Sequence, residues 1–312
     1  MQLPREVRVK IDARAASLPP GSLKRAAQAL SEAYRAGSPG GAGIPTEERV
    51  TAYLASRMPA TYAAVRTVLE EVRARLGSQA IATVLDAGAG AGAASLAARD
   101  CFPEAREFSL VERDGAMAEA AREFLPEARV RAEDFTRVSA FPPHDLVIAA
   151  YALGENPPGD TAARLWEAAR VALVVVEPGS PAGFALIRET RDGLLAAGAR
   201  MLAPCPAEGS CPLVSPEWCH FGARVERSSL HRRLKDAELN YEDEKFSYVA
   251  LVREAAPLAE ARVIRRPRHQ PGLITLETCT PHGIETQYIG KRDRERFRQA
   301  RRAAWGDAFP PV

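Results

Sequence analysis

The sequence predicts an α/β fold in which a mostly parallel β-sheet is covered by helices on both faces, with a helical region before it. From about residue 82, short apolar segments alternate with segments of helical periodicity, which is typical of a doubly wound sheet. The first apolar segment ends in a glycine-rich turn that leads into a helix. Because such turns lie at the carboxyl ends of parallel strands, we expect a ligand site at that edge of the sheet.

The composition is that of a globular protein with room for two domains. The 312 residues are 46% hydrophobic and 26% charged, with a net charge of +2. The chain has no run of eighteen apolar residues and no charged leader followed by an apolar segment, so we expect neither a membrane span nor a secretory signal. Five cysteines, an odd number, indicate a reducing compartment, and we expect the cytoplasm.

Residues 1–72 are predicted to be helical. Prolines and a glycine at 19–21 separate the first helix from the second, for which Ser22 is the expected N-cap. A flexible joint is predicted at 38–43, and Thr46 opens a further helix whose apolar residues recur at helical spacing. We expect this region to cap the domain that follows.

Seven strands are predicted for the sheet. They lie at residues 83–92 (with the glycine loop), 107–113, 128–132, 145–150, 171–177, 200–203 and 241–253. Helices are predicted to begin at Ala93 and Gly183, between strands. A third predicted helix, at 224–234, is basic and falls between the last two strands.

The glycine loop indicates a nucleotide-like ligand. Gly88, Gly90 and Gly92 allow a ligand to approach the backbone closely and direct the amides of the next helix toward it. Asp86 precedes these glycines, and Glu112 ends the second strand twenty-six residues later. An acidic residue at the end of the second strand is placed to bind the two hydroxyls of a ribose.

This pattern resembles the class I S-adenosylmethionine-dependent methyltransferases and lacks the spacing of a nicotinamide fingerprint. The resemblance implies that Asp86, the glycines and Glu112 bind S-adenosylmethionine. It also implies that Asp134, after the third strand, contacts the adenine. An ordinary loop acid or helix cap is the alternative at each of these acidic positions.

Catalytic residues are harder to identify. The end of the fourth strand has neither the Asn/Asp-Pro-Pro-Tyr motif that grips an exocyclic amine nor a catalytic cysteine of the cytosine-C5 type. The polar groups there are Tyr151, Glu155 and Asn156, for which structural roles are an equal alternative. The sequence therefore predicts cofactor binding more directly than methyl transfer.

A loop at 203–221 is predicted to hold a metal centre. It contains Cys205, Cys211 and Cys219, and its prolines exclude a regular helix or a central strand. Cys279 is the candidate fourth ligand. No two of these cysteines are two to four residues apart, which favours an iron–sulfur cluster over zinc. His220 as a ligand, or four free thiols in a core, are the alternatives.

Four longer segments resemble the Rsm22 family, a methyltransferase-like group with mitochondrial and bacterial members. These segments are residues 177–184, 203–221, 241–248 and 291–307. The resemblance implies a [4Fe–4S] cluster on the four cysteines and action on small-subunit ribosomal RNA in the immature small subunit. Methyl transfer is the expected activity, and a role as a non-catalytic assembly chaperone is the alternative. When it is not bound to the ribosome, the protein is expected to be monomeric.

The end of the chain independently indicates an RNA partner. Residues 262–312 contain eleven lysines and arginines against five acids. A hairpin is predicted at 273–289 and a basic helix at 292–304, a pattern that suits phosphate contacts, although a solvated helix face is the alternative. The candidate RNA-binding residues are Arg224, Arg232, Arg233, Arg265, Arg266, Arg268, Lys291, Arg292, Arg301 and Arg302.

These observations divide the chain into three predicted regions. Residues 1–72 form the helical region, and residues 73–254 the methyltransferase-like domain with a cysteine-rich insertion at 203–240. Residues 255–312 form a basic RNA-binding module that contributes the fourth cysteine.

Overall fold

The computed structural model describes residues 1–35, 46–154 and 160–310. The predicted joint at 38–43 and the candidate residues Glu155 and Asn156 lie outside these ranges. Within them, no helix is both long enough and apolar enough to cross a membrane.

Four helices form the N-terminal region. They are α1 (Arg5–Ala16), α2 (Pro20–Arg35), α3 (Thr46–Ser56) and α4 (Met58–Leu76). The prediction that Ser22 is an N-cap is wrong, because α2 already begins at Pro20, and proline suits the first turn of a helix. The Ser22 hydroxyl instead donates a hydrogen bond to Glu48 of α3 at 3.0 Å.

The main sheet contains eight strands, and all seven predicted strands are confirmed. Their bounds are β1 (Thr83–Ala87), β2 (Glu107–Val111), β3 (Arg129–Arg131), β4 (His144–Ala150), β5 (Ala169–Pro178), β6 (Arg200–Ala203), β7 (Phe221–Glu226) and β8 (Tyr241–Val252). The order is β3-β2-β1-β4-β5-β8-β6, with β7 paired to β8. The strands from β3 to β5 are parallel, and β8 is antiparallel to β5 and β6. This is the predicted class I methyltransferase fold.

Helices cover both faces of the sheet. One face is covered by α4, α5 (Ala93–Cys101) and α6 (Gly115–Phe124). The other face is covered by α7 (Thr161–Ala168) and α8 (Pro181–Ala196). Successive strand residues point to opposite faces, so Val84 packs in the core with α4 and Leu85 in the core with α8. A sheet buried on both faces explains the nearly continuous apolar strands in the sequence.

The prediction of a basic helix at 224–234 is wrong in its first part, because residues 224–226 belong to strand β7. Phe221, Ala223 and Val225 are buried while the residues between them are exposed, a two-residue period that the basic side chains obscured. The strand pairs with β8 from Phe221 opposite Phe246 to Glu226 opposite Tyr241. The helix is shorter than predicted, because α9 spans Ser229–Lys235 and leaves Arg224 and Arg227 outside it.

A second, smaller sheet forms the C-terminal part of the chain. It contains β9 (Ala261–Val263), β10 (Arg268–Gln270), β11 (Leu273–Thr280), β12 (Gly283–Gly290) and β13 (Ala308–Phe309), with α10 (Arg294–Arg302) packed on it. The predicted hairpin is confirmed as β11–β12, and the predicted basic helix as α10. Its own apolar core includes Ile274, Leu276 and Phe309.

Candidate cofactor and cysteine sites

A cavity of about 670 Å³ lies at the carboxyl ends of β1, β2, β4 and β5. The predicted residues Asp86, Gly88, Gly90, Glu112 and Tyr151 all line it. This is the edge of the sheet at which an open α/β fold binds its ligand.

The glycine loop is tightly packed beneath the cavity. Gly88 has a φ of +74°, and a Cβ at this position would lie 2.6 Å from the Cβ of Ala152. Gly92 does not line the cavity but is the N-cap residue of α5. The loop therefore presents backbone to the cavity, with the N-terminus of α5 behind it.

The Glu112 carboxylate holds the rim of the cavity together. Its Oε2 accepts a hydrogen bond from the backbone of Gly90 at 2.7 Å, and its Oε1 accepts one from Asp114 at 2.7 Å. Burial raises the pKa of Glu112, while these two backbone donors act in the opposite direction. Each carboxylate oxygen keeps a second lone pair, so Glu112 can still accept from the hydroxyls of a ligand.

Asp86 lies deeper, at the floor of the cavity. Its Oδ2 accepts hydrogen bonds from the Ser95 amide at 3.0 Å and from the Ser95 hydroxyl at 2.7 Å. Burial, and to a lesser extent the nearby Glu112, raise the pKa of Asp86 to about 6, although the Ser95 donors oppose this. Asp86 thus fixes the first turn of α5 beside the glycine loop.

Asp134 lies at a turn beside the cavity. Its Oδ1 accepts from the backbone and the hydroxyl of Thr136, which makes it the cap of a short 3₁₀ turn at Phe135–Arg137. Phe135, the next residue, lines the cavity and Asp134 does not. The adenine contact that the resemblance implies for Asp134 stays a prediction.

Side chains from the N-terminal helices close the cavity, which the sequence did not predict. Arg49 of α3 pairs with Asp114 at 2.6 Å. The Tyr53 hydroxyl would lie 3.2 Å from a Cβ at Gly90, and Arg57 follows α3 on the same wall. The helical region is therefore part of the site and not only a cover for the sheet.

Tyr151 is committed to a structural contact. It has a φ of +56°, and its hydroxyl donates to Glu244 of β8 at 3.2 Å. Burial, together with the Glu244 charge, raises the pKa of Tyr151 well above its ordinary value. The phenol is therefore held as a hydrogen-bond donor to Glu244.

A second cavity, of about 200 Å³, contains the four predicted ligands. Cys205, Cys211, Cys219 and Cys279 line it together, and all are free thiols. Cys279 reaches it from β11, across the gap between the two sheets. No group of three or more His, Cys, Asp or Glu in the described ranges is arranged to hold a single metal ion.

Arginines surround these thiols. Arg191 of α8 donates to the carbonyls of Ala207 and Gly209, which fixes the cysteine loop. Burial raises the pKa of Cys205 and of Cys219, and raises the pKa of Cys279 to about 12. The charge of Arg262 opposes the shift at each of these three thiols.

The two cavities share structural elements. Helix α8 lines the larger cavity with Gly183 and Leu186, and lines the cysteine cavity with Ile187 and Arg191. The indole N–H of Trp218, the residue before Cys219, donates to the Gly179 carbonyl at 3.0 Å. Movement of the cysteine loop would therefore reach the turn after β5.

The candidate RNA-binding residues divide into three groups. Arg224, Arg265 and Arg268 pair with Asp243, Glu217 and Glu277, respectively. Arg232 is half-buried. The remaining candidates are exposed and have no ion pair among the described residues; they are Arg233, Arg266, Lys291, Arg292, Arg301 and Arg302.

Comparison with known proteins gives a family match over most of the chain. The family model described as mitochondrial small ribosomal subunit Rsm22 matches residues 47–310. The human mitochondrial ribosome assembly protein METTL17 is 29% identical over 299 residues, covering 85% of this chain and 63% of the relative. The mitochondrial Rsm22-cox11 tandem protein 2 of Schizosaccharomyces pombe is 25% identical, covering 85% of this chain and 43% of the relative. The chain thus spans less than two thirds of the length of the first relative and less than half of the second.

Among solved structures, the plantazolicin methyltransferase BpumL in complex with SAH is similar, with a TM-score of 0.40 and 12% identity. The alignment covers 79% of this chain and 98% of BpumL. The fold itself is defined by the strand order described above.

The comparisons correct one prediction from the sequence. The expected cytoplasmic location is contradicted, because the matched family and the curated relatives are described as mitochondrial. The cysteine content indicates only a reducing environment. It does not show which of the reducing compartments of a cell holds the protein.

Proposed function

We propose the following function from the premise that this chain belongs to the Rsm22 family. The protein binds S-adenosylmethionine in the cavity at the carboxyl ends of β1, β2, β4 and β5. It acts on the ribosomal RNA of the small subunit during assembly, with an iron–sulfur cluster as a structural element. A ribosome-assembly partner is supported by the similarity to METTL17, which is a ribosome assembly protein.

The observation that carries cofactor binding is the position of Glu112 between the glycine loop and the cavity. Its carboxylate already orients the Gly90 and Asp114 amides, and it lies where the hydroxyls of a ribose would donate hydrogen bonds. A cavity of about 670 Å³ is within the range of small-molecule sites. The N-terminus of α5 adds a favourable field for an anionic group such as a carboxylate.

Isothermal titration of the purified chain with S-adenosylmethionine tests this proposal. Glu112→Ala removes the hydroxyl acceptor, and we expect the affinity to fall at least tenfold. Glu226→Ala, an exposed acid at the end of β7, is the control and should bind as the unchanged chain does. Saturable binding that Glu112→Ala leaves intact would place the cofactor elsewhere.

The cysteine cavity fits an iron–sulfur cluster. Four thiols converge on it without forming disulfides, and Arg191 and Arg262 bring positive charge to what would be an anionic group. Sulfurs around one zinc ion lie within about 4 Å of one another, whereas a cluster needs a wider set. The four cysteines include no pair two to four residues apart, and this spacing is what favours a cluster over zinc.

Cys205, Cys211, Cys219 and Cys279 would hold the cluster. When bound, it would supply covalent links between the loop after β6 and strand β11 of the second sheet. The two sheets would then be held in one arrangement, which is a structural role.

Methyl transfer to RNA is the proposed activity, and it is tested with tritiated S-adenosylmethionine and immature small subunits. Label in the RNA is the expected result.

A second candidate function is that of a non-catalytic assembly chaperone. It is favoured by the contact between Tyr151 and Glu244, because the Tyr151 hydroxyl at the end of β4 is already used in a hydrogen bond within the protein. Binding to the subunits without label in the RNA would support that second function.

A further inference from the structure

The two faces of the C-terminal sheet have different surroundings. One face packs on α10 and on the apolar core that contains Ile274, Leu276 and Ile289. The other begins at Cys279, on the wall of the cysteine cavity, and continues along β11 toward Leu273. We call the part of this second face beyond Cys279 the open face; it carries Arg268, Gln270, Thr275, Glu277, Ile284, Thr286 and Tyr288.

Tyr288 lies on the edge strand β12, at one end of a row across the open face. The strand register places Tyr288 of β12 opposite Thr275 of β11, and Thr275 opposite Arg268 of β10. Directly opposite residues of antiparallel strands share a face, so these three side chains form one row. Tyr288 is 70% exposed, although tyrosine is a residue that folded chains usually bury in large part.

The rim of the open face is basic. Arg268, Lys291 and Arg292 are exposed there. The backbone amide of Lys291 donates to the Gly272 carbonyl at 3.2 Å, which places this lysine beside the turn between β10 and β11. Glu277 lies on the same face and is paired with Arg268.

We propose, on the basis of the RNA-binding function above, that the open face is a stacking platform for single-stranded RNA. An unpaired base stacks on the Tyr288 ring, and the phosphates beside it lie against Lys291 and Arg292. Exposed aromatic rings on small sheets with basic surroundings hold unpaired bases in this way. A duplex offers no such base, because its bases are stacked on one another.

The platform is fixed relative to the cysteine cavity. Thr275 is four residues from Cys279 on β11, a distance of about 14 Å along the strand. Any group that the four cysteines hold therefore also orients the row that contains Tyr288.

The experiment measures binding of the full chain to a short fluorescent single-stranded RNA and to a duplex of the same sequence. The variants are Tyr288→Ala, Tyr288→Phe and, as a control, Leu239→Ala, which removes another exposed apolar side chain. We expect Tyr288→Ala to weaken single-strand binding at least fivefold and to leave duplex binding unchanged. Tyr288→Phe keeps the ring and should bind as the unchanged chain does.

Two results would overturn the platform alone. One is single-strand affinity that Tyr288→Ala does not alter, which would leave the open face to a protein partner. The other is an equal loss for single strand and duplex, which would indicate a general phosphate surface. A chain without substitutions that binds neither RNA would overturn the proposed function itself, and the platform with it.

Discussion

Arg262 donates a hydrogen bond from Nη2 to Oε1 of Glu71 at 2.7 Å, although the two residues are 191 positions apart. The Arg262 side chain is 3% exposed and also donates to the carbonyls of Pro204 and Gly306. This single arginine therefore joins α4, the start of the cysteine loop and the C-terminal sheet. It belongs to the basic segment from which an RNA surface was predicted, yet its burial removes it from that surface.

Glu71→Gln is expected to lower the free energy of unfolding by about 3–5 kcal/mol, measured by urea denaturation. The substitution leaves the buried guanidiniums of Arg75 and Arg262 without their shared carboxylate. Glu70→Gln, the neighbouring change in α4, is the control. Its pair with Arg66 is exposed, so we expect a loss below about 0.5 kcal/mol. Equal losses for the two variants would contradict the structural role of the pair.

The sign of the pH dependence follows from the same contact. Burial alone would raise the pKa of Glu71, but Arg262 and Arg75 together lower it below its ordinary value. The stability that Glu71 contributes is therefore fully present above its unfolded pKa of about 4.3 and is lost as the pH falls through the lower folded pKa.

Gly183→Ala is expected to destabilise the protein by about 1–3 kcal/mol or more, measured by thermal or urea unfolding. A Cβ at Gly183 would lie 2.1 Å from the Pro178 carbonyl oxygen, a backbone atom that cannot rotate away. Gly193 in the same helix has open space around its Cβ position. Gly193→Ala should stabilise α8 by about 0.5–1 kcal/mol, because alanine is the better helix former. A loss of stability in both variants would argue against the packing at Gly183.

Cys279→Ser is expected to reduce the iron bound per chain and the visible absorption of protein purified without oxygen. The reason is that Cys279 is the one candidate ligand in the second sheet, so its loss opens the link between the sheets. Cys101→Ala is the matched control, because Cys101 lies in α5 with its sulfur near the Arg66 carbonyl and outside the cavity. Iron content that is equal in both variants would show that Cys279 is not a ligand.

The fold was more predictable from sequence than the site. The strands β1, β2, β4 and β5 are mainly apolar local segments, and the glycine loop marks where β1 ends. The order of these strands along the chain and the edge of the sheet that holds the site therefore followed directly from the sequence. Arg49 and Tyr53 reach the larger cavity only through the packing of α3 on α4 and α6, which no spacing in the sequence encodes. The burial of Arg262 is likewise invisible among the arginines around it. The turn cap that Asp134 forms could likewise not be distinguished from a ligand-binding loop acid, because the two have the same sequence pattern.

Asp86 makes the folded state sensitive to pH in the opposite direction from Glu71. Its folded pKa of about 6 is above the ordinary value of about 3.9, so its stabilising contribution is present below pH 4 and is lost as the pH rises through 6. Asp86→Asn cannot ionise. The quantity to measure is the free energy of unfolding of the unchanged chain minus that of Asp86→Asn. We expect this difference to fall by about 1–3 kcal/mol between pH 4 and pH 7. A difference that stays constant with pH would mean that Asp86 is charged throughout.

The exposed arginines of α10 give the last prediction, which concerns the salt dependence of RNA binding. Arg301 and Arg302 have no ion pair among the described residues, whereas Arg224 pairs with Asp243 at 2.9 Å and lies over the Tyr241 ring. The double variant Arg301→Gln and Arg302→Gln should reduce the slope of log affinity against log salt by about 0.7 for each phosphate that the variant no longer neutralises. Arg224→Gln should change the slope less, because that guanidinium is already neutralised. An equal change for Arg224→Gln would show that the ion pairs on β7 open when RNA binds.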